Sequence, residues 1–255
     1  MPSTTTYHFD YEPIPRKGQV GKAEPKPRPE EQKAVGFVFA NDSSSGAYYY
    51  DLRTRKPVAS RVKRMVDLFA STIAITLLAP VYLAIMALIK LTSPGPIIFR
   101  QRRIGFRGNQ FDMYKFRTMY DGAHLKEKEL AAQAGGGFLK LKHDPRITPL
   151  GRFLRKYSLD ELPQLFNVLE GTMSLVGPRP LLLSDLEKLP RRSPLRRFAM
   201  PPGCTGLWQV SGRSDCSEAK RLRFDQQYVN RWSLALDFQI LVRTVGVIFT
   251  GRGSV

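Results

Sequence analysis

Asp160 and Glu161 are adjacent carboxylates in a stretch of the sequence that is rich in cationic residues. The cations nearest to them along the chain are Arg152, Arg155 and Lys156 before the pair and Arg179 after it. This combination suits phosphate chemistry, because one acid can attack or take a proton while the other holds a divalent cation. Arginine can neutralise phosphate oxygens with two parallel hydrogen bonds. These residues therefore indicate a site that processes phosphate.

The alternative is that the acidic pair is a solvated face of a surface helix. Apolar residues recur around it at helical spacing, at Leu159, Leu162, Leu165, Phe166 and Leu169. Pro163 favours the functional interpretation, because inside a helix it would remove a backbone donor and clash with the preceding turn. We predict that the chain breaks or restarts at Pro163. The acids then lie at a helix start, where the macrodipole favours ionised carboxylates and bound phosphate.

A long uncharged segment predicts a membrane element. The 22 residues from Leu68 to Ile89 carry no charge, and about 20 helical residues cross a hydrocarbon core of about 30 Å. A buried core helix is the alternative. Basic residues flank both ends of the segment, so a spanning helix would place one basic cluster outside, against the positive-inside tendency.

Pro80 lies near the middle of this segment, where it can bend the helix and free the carbonyl of Thr76. A re-entrant helix over about residues 66–91 accommodates both the proline and the flanking charges. Such a helix dips into one leaflet, turns at Ala79 and Pro80, and returns to the same face. We therefore predict that Ala79 and Pro80 form a membrane hinge.

Two short strands are predicted after the membrane segment, at Ile97 to Arg103 and at Phe111 to Arg117. The turn-rich stretch Phe106 to Asn109 joins them into a β-hairpin. The two-residue period of a strand puts Lys115 and Arg117 on one face. Ordinary solvated charge is the alternative for these two cations.

Two later segments have one apolar helical face. The first stripe comprises Leu150, Phe153, Leu154 and Tyr157, and the second comprises Leu234, Phe238, Leu241, Val245 and Ile248. The first stripe suits a helix at the headgroup level or one that packs on the core. The second is too polar to span a membrane and suits an interfacial or core-packing helix, with core packing preferred.

Length and charge point to one domain with an N-terminal tail. Residues 1–60 contain scattered charge, prolines and little periodic apolar surface, so we predict a mobile tail there and a membrane-embedded domain over residues 61–255. Of the net charge of +18, +16 lies in residues 61–255. Such a domain attracts nucleic acid, anionic lipid or phosphorylated substrates. The two cysteines and the absence of a signal-like apolar core in the first thirty residues favour the cytosol.

Eight segments, taken together and in order, give residues Lys63 to Thr250 a resemblance to a known family. The segments are Lys63–Asp67, Ser93–Pro96, Arg100–Gly105, Lys115–Met119, Asp144–Thr148, Ser158–Leu165, Val176–Pro180 and Gly206–Arg213. They resemble the bacterial sugar transferases, also called monotopic phosphoglycosyl transferases. That family moves a sugar phosphate from a nucleotide diphosphate sugar onto a polyprenyl phosphate.

The resemblance implies roles for the residues that match its motifs. Asp160 would attack the β-phosphorus of a UDP-sugar and form a covalent aspartyl-phosphosugar, and Glu161 would bind Mg²⁺. The other substrate-binding residues that we predict are Lys115, Arg117, Arg155, Gln164, Arg179 and Pro180. The sequence has Ala79 where the family often places a serine before the proline. It reads Met200-Pro201-Pro202 before Gly203, where the family usually carries a basic residue ahead of Pro-Gly.

The expected fold is α+β and mainly helical: a monotopic membrane domain with a proline-broken re-entrant helix, interfacial helices and a small β-hairpin. The expected function is transfer of a hexose-1-phosphate from a UDP-sugar to undecaprenyl phosphate, with release of UMP, as the first membrane step of exopolysaccharide or related glycan synthesis. A catalytically inactive scaffold for glycan assembly is the alternative, and a nucleic-acid binder is disfavoured because aromatic residues are not interleaved with the basic ones.

The expected partners follow from this function. They are the UDP-sugar, the polyprenyl phosphate and the lipid bilayer, with no nucleic acid, and a homo-oligomer or other glycan-assembly proteins are left open. We expect the protein in the bacterial cytoplasmic membrane, with the catalytic domain and both termini on the cytosolic face.

Overall fold

The computed structural model describes residues 37–39, 48–50, 60–123, 144–182, 195–211 and 218–250. Across these ranges the chain is mainly helical with a small antiparallel hairpin, as predicted. Two short strands, β1 (Phe37–Phe39) and β2 (Tyr48–Tyr50), pair antiparallel within the segment that was predicted to be a tail. The mobility of that segment stays a prediction.

The longest helix, α1, runs from Arg61 to Thr92 and extends beyond the predicted range at its N-terminal end. The Ser60 hydroxyl accepts a hydrogen bond from the Lys63 main-chain N–H at 3.2 Å and so caps its first turn. The helix is long and apolar enough to cross a membrane, and only 17% of its most apolar stretch is buried in the protein. This exposure disfavours a core helix, because a core helix buries most of its apolar surface.

Helix α1 continues through Pro80, so the break predicted at Ala79 and Pro80 is not seen. A proline removes one backbone hydrogen bond, and the intact turns on either side can keep the helix continuous with at most a local bend. Thr72 and Thr76 donate their hydroxyls to carbonyls one turn earlier, at 2.8 Å and 3.0 Å, which pairs both hydroxyls inside the apolar segment. Re-entrant insertion of this helix stays a prediction.

The predicted hairpin is present, with each strand shifted by one residue. Strand β3 (Ile98–Ile104) pairs antiparallel with β4 (Gln110–Phe116). A single 3-10 turn, Phe106–Gly108, joins them, and Arg107 adopts a left-handed φ of 54° there. The Arg117 N–H donates to the Ile97 carbonyl at 2.9 Å, so pairing continues past the end of β4.

The segment around the acidic pair consists of short helices separated by tight turns. Helix α2 (Pro149–Lys156) ends before a 3-10 turn, Leu159–Glu161, which contains both acids. Helix α3 (Gln164–Glu170) begins after Pro163, which confirms the predicted restart at that proline. Gly171 ends α3 with a left-handed φ of 85°, a conformation that glycine adopts without strain.

The C-terminal part surrounds one parallel strand pair. Strand β5 (Ser174–Val176) pairs in parallel with β6 (Gly203–Thr205). The other elements of this part are a 3-10 segment (Leu195–Ala199) and helices α4 (Leu207–Ser211), α5 (Glu218–Arg231) and α6 (Leu234–Thr250). Side chains from β4, α3, β5, α5 and α6 form a common core, including Met113, Val168, Val176, Tyr228 and Ile240.

Helix α6 packs on the core, as preferred, through Leu236, Ile240 and Leu241, but part of the predicted stripe is exposed. Phe238 and Val245, on the stripe expected to pack on the core, are 68% and 55% exposed. Asp237 is buried instead, because it accepts hydrogen bonds from the Lys63 ammonium and the Tyr228 hydroxyl, each at 2.6 Å. The face of α6 that carries Asp237 and Ile240 is therefore the one that packs on the domain, and Phe238 and Val245 lie on the exposed side.

Candidate active site

The acidic pair lies in a strained turn beside the hairpin. Ser158 precedes it in a left-handed conformation, with φ of 55°, and starts the 3-10 turn that carries Asp160 and Glu161. Asp160 is only 8% exposed, whereas Glu161 is partly exposed. A positive φ is uncommon for a non-glycine residue and occurs often at functional sites.

Lys115 of β4 joins the two acids. Its ammonium lies 2.7 Å from Glu161 Oε1 and 4.0 Å from Asp160 Oδ2. The strand register that pairs Lys115 with Phe99 points this cation at the turn. The structure therefore brings together three of the predicted site residues from two separate elements.

The environment of Asp160 perturbs its titration. Burial raises the pKa of Asp160 to about 6, and the neighbouring Glu161 charge also raises it, while Lys115 and Arg155 oppose the rise. A buried carboxylate with cations close by is a common arrangement at catalytic sites. At neutral pH the group is ionised but poorly hydrated, which favours attack on an electrophile.

Arg155 of α2 approaches the acids from the other side. Its Nε donates to the Thr118 hydroxyl at 2.8 Å, and its charge acts on both Asp160 and Asp144. Asp144 accepts from the Arg146 guanidinium at 2.7 Å, and this hydrogen bonding lowers the pKa of Asp144. The Asp144–Arg146 pair lay in a motif of the family resemblance but was not predicted as part of the site.

A cleft lies next to Glu161. The predicted residues that line it are Glu161, Gln164, Arg179 and Pro180, and Arg103, Met113, Gly203, Cys204 and Gln209 complete its lining. Gln164 is 3% exposed and lies at the first turn of α3. Sequence reasoning missed Arg103 and Gln209, although both lie in segments of the resemblance; their place in the cleft depends on how β3 and α4 approach the acidic turn.

Arg179 is supported within this cleft by an aromatic ring. Its guanidinium carbon lies 5.4 Å from the centre of the buried Trp208 ring. A cation over an indole face gains electrostatic stabilisation and keeps its hydrogen-bond donors available to an anion. Arg179 therefore adds positive charge to the cleft that Glu161 lines.

The Arg117 side chain does not line the cleft and instead contacts the residues just after α1. Its guanidinium donates to the main-chain carbonyls of Ser93 and Pro94 and to the Ser93 hydroxyl, just after the end of α1. It is 7% exposed and fixes the chain at the end of the membrane helix. Ala79 and Pro80 lie in the exposed middle of α1. Direct contact between Arg117 and substrate stays a prediction.

The metal-binding capacity of the site rests on the acidic pair. Among the residues that the structure describes, no group of three or more His, Cys, Asp or Glu side chains could hold a metal ion. Mg²⁺ commonly binds through one or two carboxylates together with substrate phosphates. The pair Asp160 and Glu161 beside a cationic cleft fits that mode of binding.

A profile of the family described as bacterial sugar transferase matches residues 58–251, which include α1, the hairpin, the acidic turn and the cleft. The chain belongs to this family. It is therefore a phosphoglycosyl transferase, and the family resemblance noted in the sequence is confirmed.

Three relatives of this bacterial sugar transferase align with most of its length. It is 41% identical to exopolysaccharide production protein ExoY of Rhizobium meliloti (strain 1021), over 84% of this chain and 98% of the relative. It is 43% identical to the undecaprenyl-phosphate galactose phosphotransferase of Salmonella typhimurium, over 86% of this chain and 47% of the relative. It is 44% identical to the UDP-glucose:undecaprenyl-phosphate glucose-1-phosphate transferase of Xanthomonas campestris pv. campestris, over 71% and 37% of the two chains. The chain thus spans nearly all of the first relative and half or less of the other two.

Proposed function

We propose that this sugar transferase moves a hexose-1-phosphate from a UDP-sugar to undecaprenyl phosphate and releases UMP. The single observation that carries the proposal is the buried Asp160 carboxylate, which lies 4.0 Å from the Lys115 ammonium and feels the charge of Arg155. Its neighbour Glu161 lines a cleft with Arg103 and Arg179. The names of the Salmonella and Xanthomonas relatives describe transfer between these two substrates in part. Synthesis of an exopolysaccharide or a related glycan is the process that such a lipid-linked sugar would serve.

In the first step an oxygen of Asp160 attacks the β-phosphorus of the UDP-sugar. The bond between that phosphorus and the oxygen bridging to the α-phosphorus breaks, and UMP leaves with the bridging oxygen. The sugar phosphate is then bonded to the Asp160 carboxylate as a mixed anhydride. Burial of Asp160 favours this step, because the attacking anion has little water to displace.

In the second step a phosphate oxygen of the polyprenyl phosphate attacks the phosphorus of the aspartyl-phosphosugar. The bond to Asp160 breaks, the carboxylate is restored, and a lipid-linked diphosphosugar forms. Two separate displacements allow an acceptor in the bilayer and a donor from water to use one site in turn. The same cations then neutralise the charge of the donor phosphate and, later, that of the acceptor phosphate.

The cations around the acids have distinct places in this proposal. Lys115 and Arg155 face Asp160 and would offset the charge that develops on the transferred phosphate. Arg179 would contact the diphosphate in the cleft, with Gln164 and Pro180 beside it. Mg²⁺ bound to Glu161 would supply further neutralisation of the diphosphate when it is present.

The contacts of α1 support a re-entrant insertion into the cytoplasmic membrane. Lys63 and Asp67, in its first two turns, are buried against α6 and β5. Tyr82 and Ile89, in its second half, are buried against Phe116 of β4 and its neighbours. Since both halves contact the same domain, both ends of the helix would lie on the cytosolic face.

Kinetics with and without the acceptor test the proposal. We expect purified protein with UDP-glucose or UDP-galactose alone to release at most one equivalent of UMP and to carry a labelled sugar phosphate at Asp160. With undecaprenyl phosphate present, the two substrates should give parallel double-reciprocal lines. Intersecting lines with no labelled peptide would indicate direct attack by the lipid in a ternary complex, and sugar phosphate released to water would indicate a hydrolase.

A further inference from the structure

Main-chain hydrogen bonds hold the loop that carries Arg179 on both of its sides. On one side the Gly177 N–H donates to the Thr205 carbonyl at 2.9 Å. On the other side the Ile104 N–H donates to the Leu181 carbonyl at 2.8 Å. These bonds fix the two ends of the loop, and the peptide groups of Arg179 need other partners to have a defined orientation.

A buried ion pair supplies those partners. Arg197 Nη2 lies 2.8 Å from Asp225 Oδ2, and the two residues are 5% and 2% exposed. Arg197 also donates to the Arg179 carbonyl at 2.5 Å. Burial raises the pKa of Asp225, and the groups that oppose this rise are Arg197 and both the charge and the main-chain amide of Arg179. The pair thus acts on both main-chain polar groups of Arg179.

Helix α5 also reaches the aromatic ring over which the Arg179 guanidinium lies. Arg221 lies one turn before Asp225 on α5, and its guanidinium carbon is 5.1 Å from the centre of the Trp208 ring. Arg179 lies over the same ring at 5.4 Å. Helix α5 therefore supports the Arg179 main chain through Asp225, and its Arg221 shares the Trp208 ring with the Arg179 guanidinium.

Stability alone does not account for this ion pair. Removing two charges from water costs several kcal/mol for each ion, and replacing a buried pair by apolar residues is often neutral or stabilising. A defined geometry for a neighbouring group is a better reason to keep it, and the group that this pair contacts is Arg179.

We propose that Arg197 and Asp225 are positioning residues for Arg179, so that α5 sets where the Arg179 guanidinium lies in the cleft. The inference rests on the proposed function for what fills that cleft, namely the diphosphate of a UDP-sugar. Arg197 and Asp225 are buried behind the loop and act through Arg179. Their loss should therefore weaken donor binding more than it changes the chemistry of the acids.

The first test replaces both members of the pair, with Arg197→Met and Asp225→Leu together, so that no lone charge is left buried. We expect the KM for the UDP-sugar to rise about 10-fold or more, with a smaller change in kcat, because displacement of a binding group by about 1 Å can cost up to about 100-fold. In an Arg179→Ala background the same replacement should change KM little further, since no guanidinium remains to be placed. Additive losses would overturn the inference.

Two further variants separate positioning from stability. Arg197→Lys keeps a charge near Asp225, but its side chain is one bond shorter than the arginine, whose Nη2 contacts both Asp225 and the Arg179 carbonyl. The ammonium should therefore not hold both partners at these distances, and KM should still rise if the double replacement does not fold. Val229→Ala truncates a 2% exposed residue one turn after Asp225 on α5. It should lower the melting temperature without raising KM. A rise in KM for Val229→Ala equal to that of the pair variants would overturn the positioning role.

A spectroscopic measurement is independent of transfer. The chain has two tryptophans, so in a Trp232→Phe background the emission reports Trp208 alone. Acrylamide quenching should increase in Arg179→Ala and in the pair variants, because one of the two cations over the Trp208 ring is removed or displaced. Quenching should not change in Val229→Ala. Unchanged quenching in the pair variants would contradict the inference even if the wild type transfers sugar phosphate. Conversely, a wild type that releases no UMP would contradict the proposed function, while the quenching result would still decide the role of the pair.

Discussion

At the residue scale, the site depends on a carboxylate that folding removes from water. Asp160 is 8% exposed and lies 4.0 Å from the Lys115 ammonium, so its charge is retained by neighbouring cations. Asp160→Asn keeps the shape of the side chain and removes the attacking anion. We expect transfer and the release of UMP in the absence of acceptor to be abolished. A UMP-release assay on membranes checks this.

Asp112→Asn is the matched control for that substitution. Asp112 forms a partly exposed ion pair with Arg102 on the hairpin, with nitrogen and oxygen 3.3 Å apart, and should tolerate the change. Retention of more than roughly a tenth of the wild-type turnover in Asp160→Asn would contradict the covalent role, because removal of a nucleophile costs far more than that.

The raised pKa of Asp160 also has a consequence for stability. Between pH 4 and pH 6 the folded protein binds more protons at this group than the unfolded chain does, because its pKa rises from 3.8 to about 6. Stability therefore falls as pH rises through this window. In metal-free buffer, Asp160→Asn should be more stable than the wild type at pH 8, by up to about 3 kcal/mol, and by little at pH 4.

Thermal unfolding in detergent at the two pH values measures this difference. Asp112→Asn again serves as control and should show no comparable dependence on pH. If Asp160→Asn is more stable than the wild type by the same amount at pH 4 and pH 8, the cost of burying the Asp160 charge is not the cause of that stabilisation.

At the scale of elements, α1 connects a long apolar surface to the turn that carries the two acids. The Tyr82 hydroxyl donates to the Leu162 carbonyl at 2.6 Å, one residue after the acids. Arg64 donates to the carbonyls of Val168 and Leu169 at the end of α3. The helix that carries the apolar surface thus also supports both ends of the segment that follows Glu161.

Cysteine accessibility tests the re-entrant insertion of α1. Ser60 and Thr92 are exposed at its two ends, whereas Ser93 is buried beneath Arg117 and would make a poor probe. With Cys204 and Cys216 replaced, single cysteines at Ser60 and Thr92 should both resist a membrane-impermeant thiol reagent in intact cells and both react after lysis. Labelling of one position alone in intact cells would show that the helix crosses the bilayer.

Pro80→Leu tests whether the proline favours re-entrant insertion of the continuous helix α1, because it restores a donor for the Thr76 carbonyl and lengthens the uninterrupted apolar run. We expect a fraction of the molecules to adopt a spanning form, with one end of α1 labelled in intact cells and with lower activity. Ala79→Leu is the matched control, since it adds apolar bulk and restores no hydrogen bond. Equal labelling in the two variants would contradict the role of the proline.

At the scale of the whole molecule, the net charge of +18 should act on anionic substrates more than on membrane attachment. Raising salt from about 0.1 M to about 1 M shortens the screening length from about 10 Å to about 3 Å. We expect kcat/KM for the UDP-sugar to fall several-fold over this range, chiefly through KM. The protein should still sediment with vesicles, because the apolar surface of α1 is not screened by salt. Release from vesicles at high salt would show that attachment is electrostatic.

The sequence by itself determined the family, the uncharged membrane segment, the hairpin and the helix restart at Pro163. Each of these depends on local order along the chain: a motif, a run without charge, a two-residue period or a missing backbone donor. The acids and Lys115 were likewise found from residue types and spacing. The contact between the Lys115 ammonium and Glu161 Oε1, at 2.7 Å, forms only because the hairpin folds against the acidic turn.

Tertiary structure alone decided which charged side chains face the cleft and which are used within the fold. In sequence, Arg117 looks like a phosphate-binding arginine, because it lies in one of the family's motifs. In the fold, its guanidinium donates hydrogen bonds to the main-chain carbonyls just after the end of α1. Asp237 of α6 is buried through its contact with Lys63, 174 positions away in sequence, while Phe238 and Val245 of the predicted stripe are exposed. A buried charge must find its partner wherever the packed chain places one, and that distance in sequence leaves no local pattern to read.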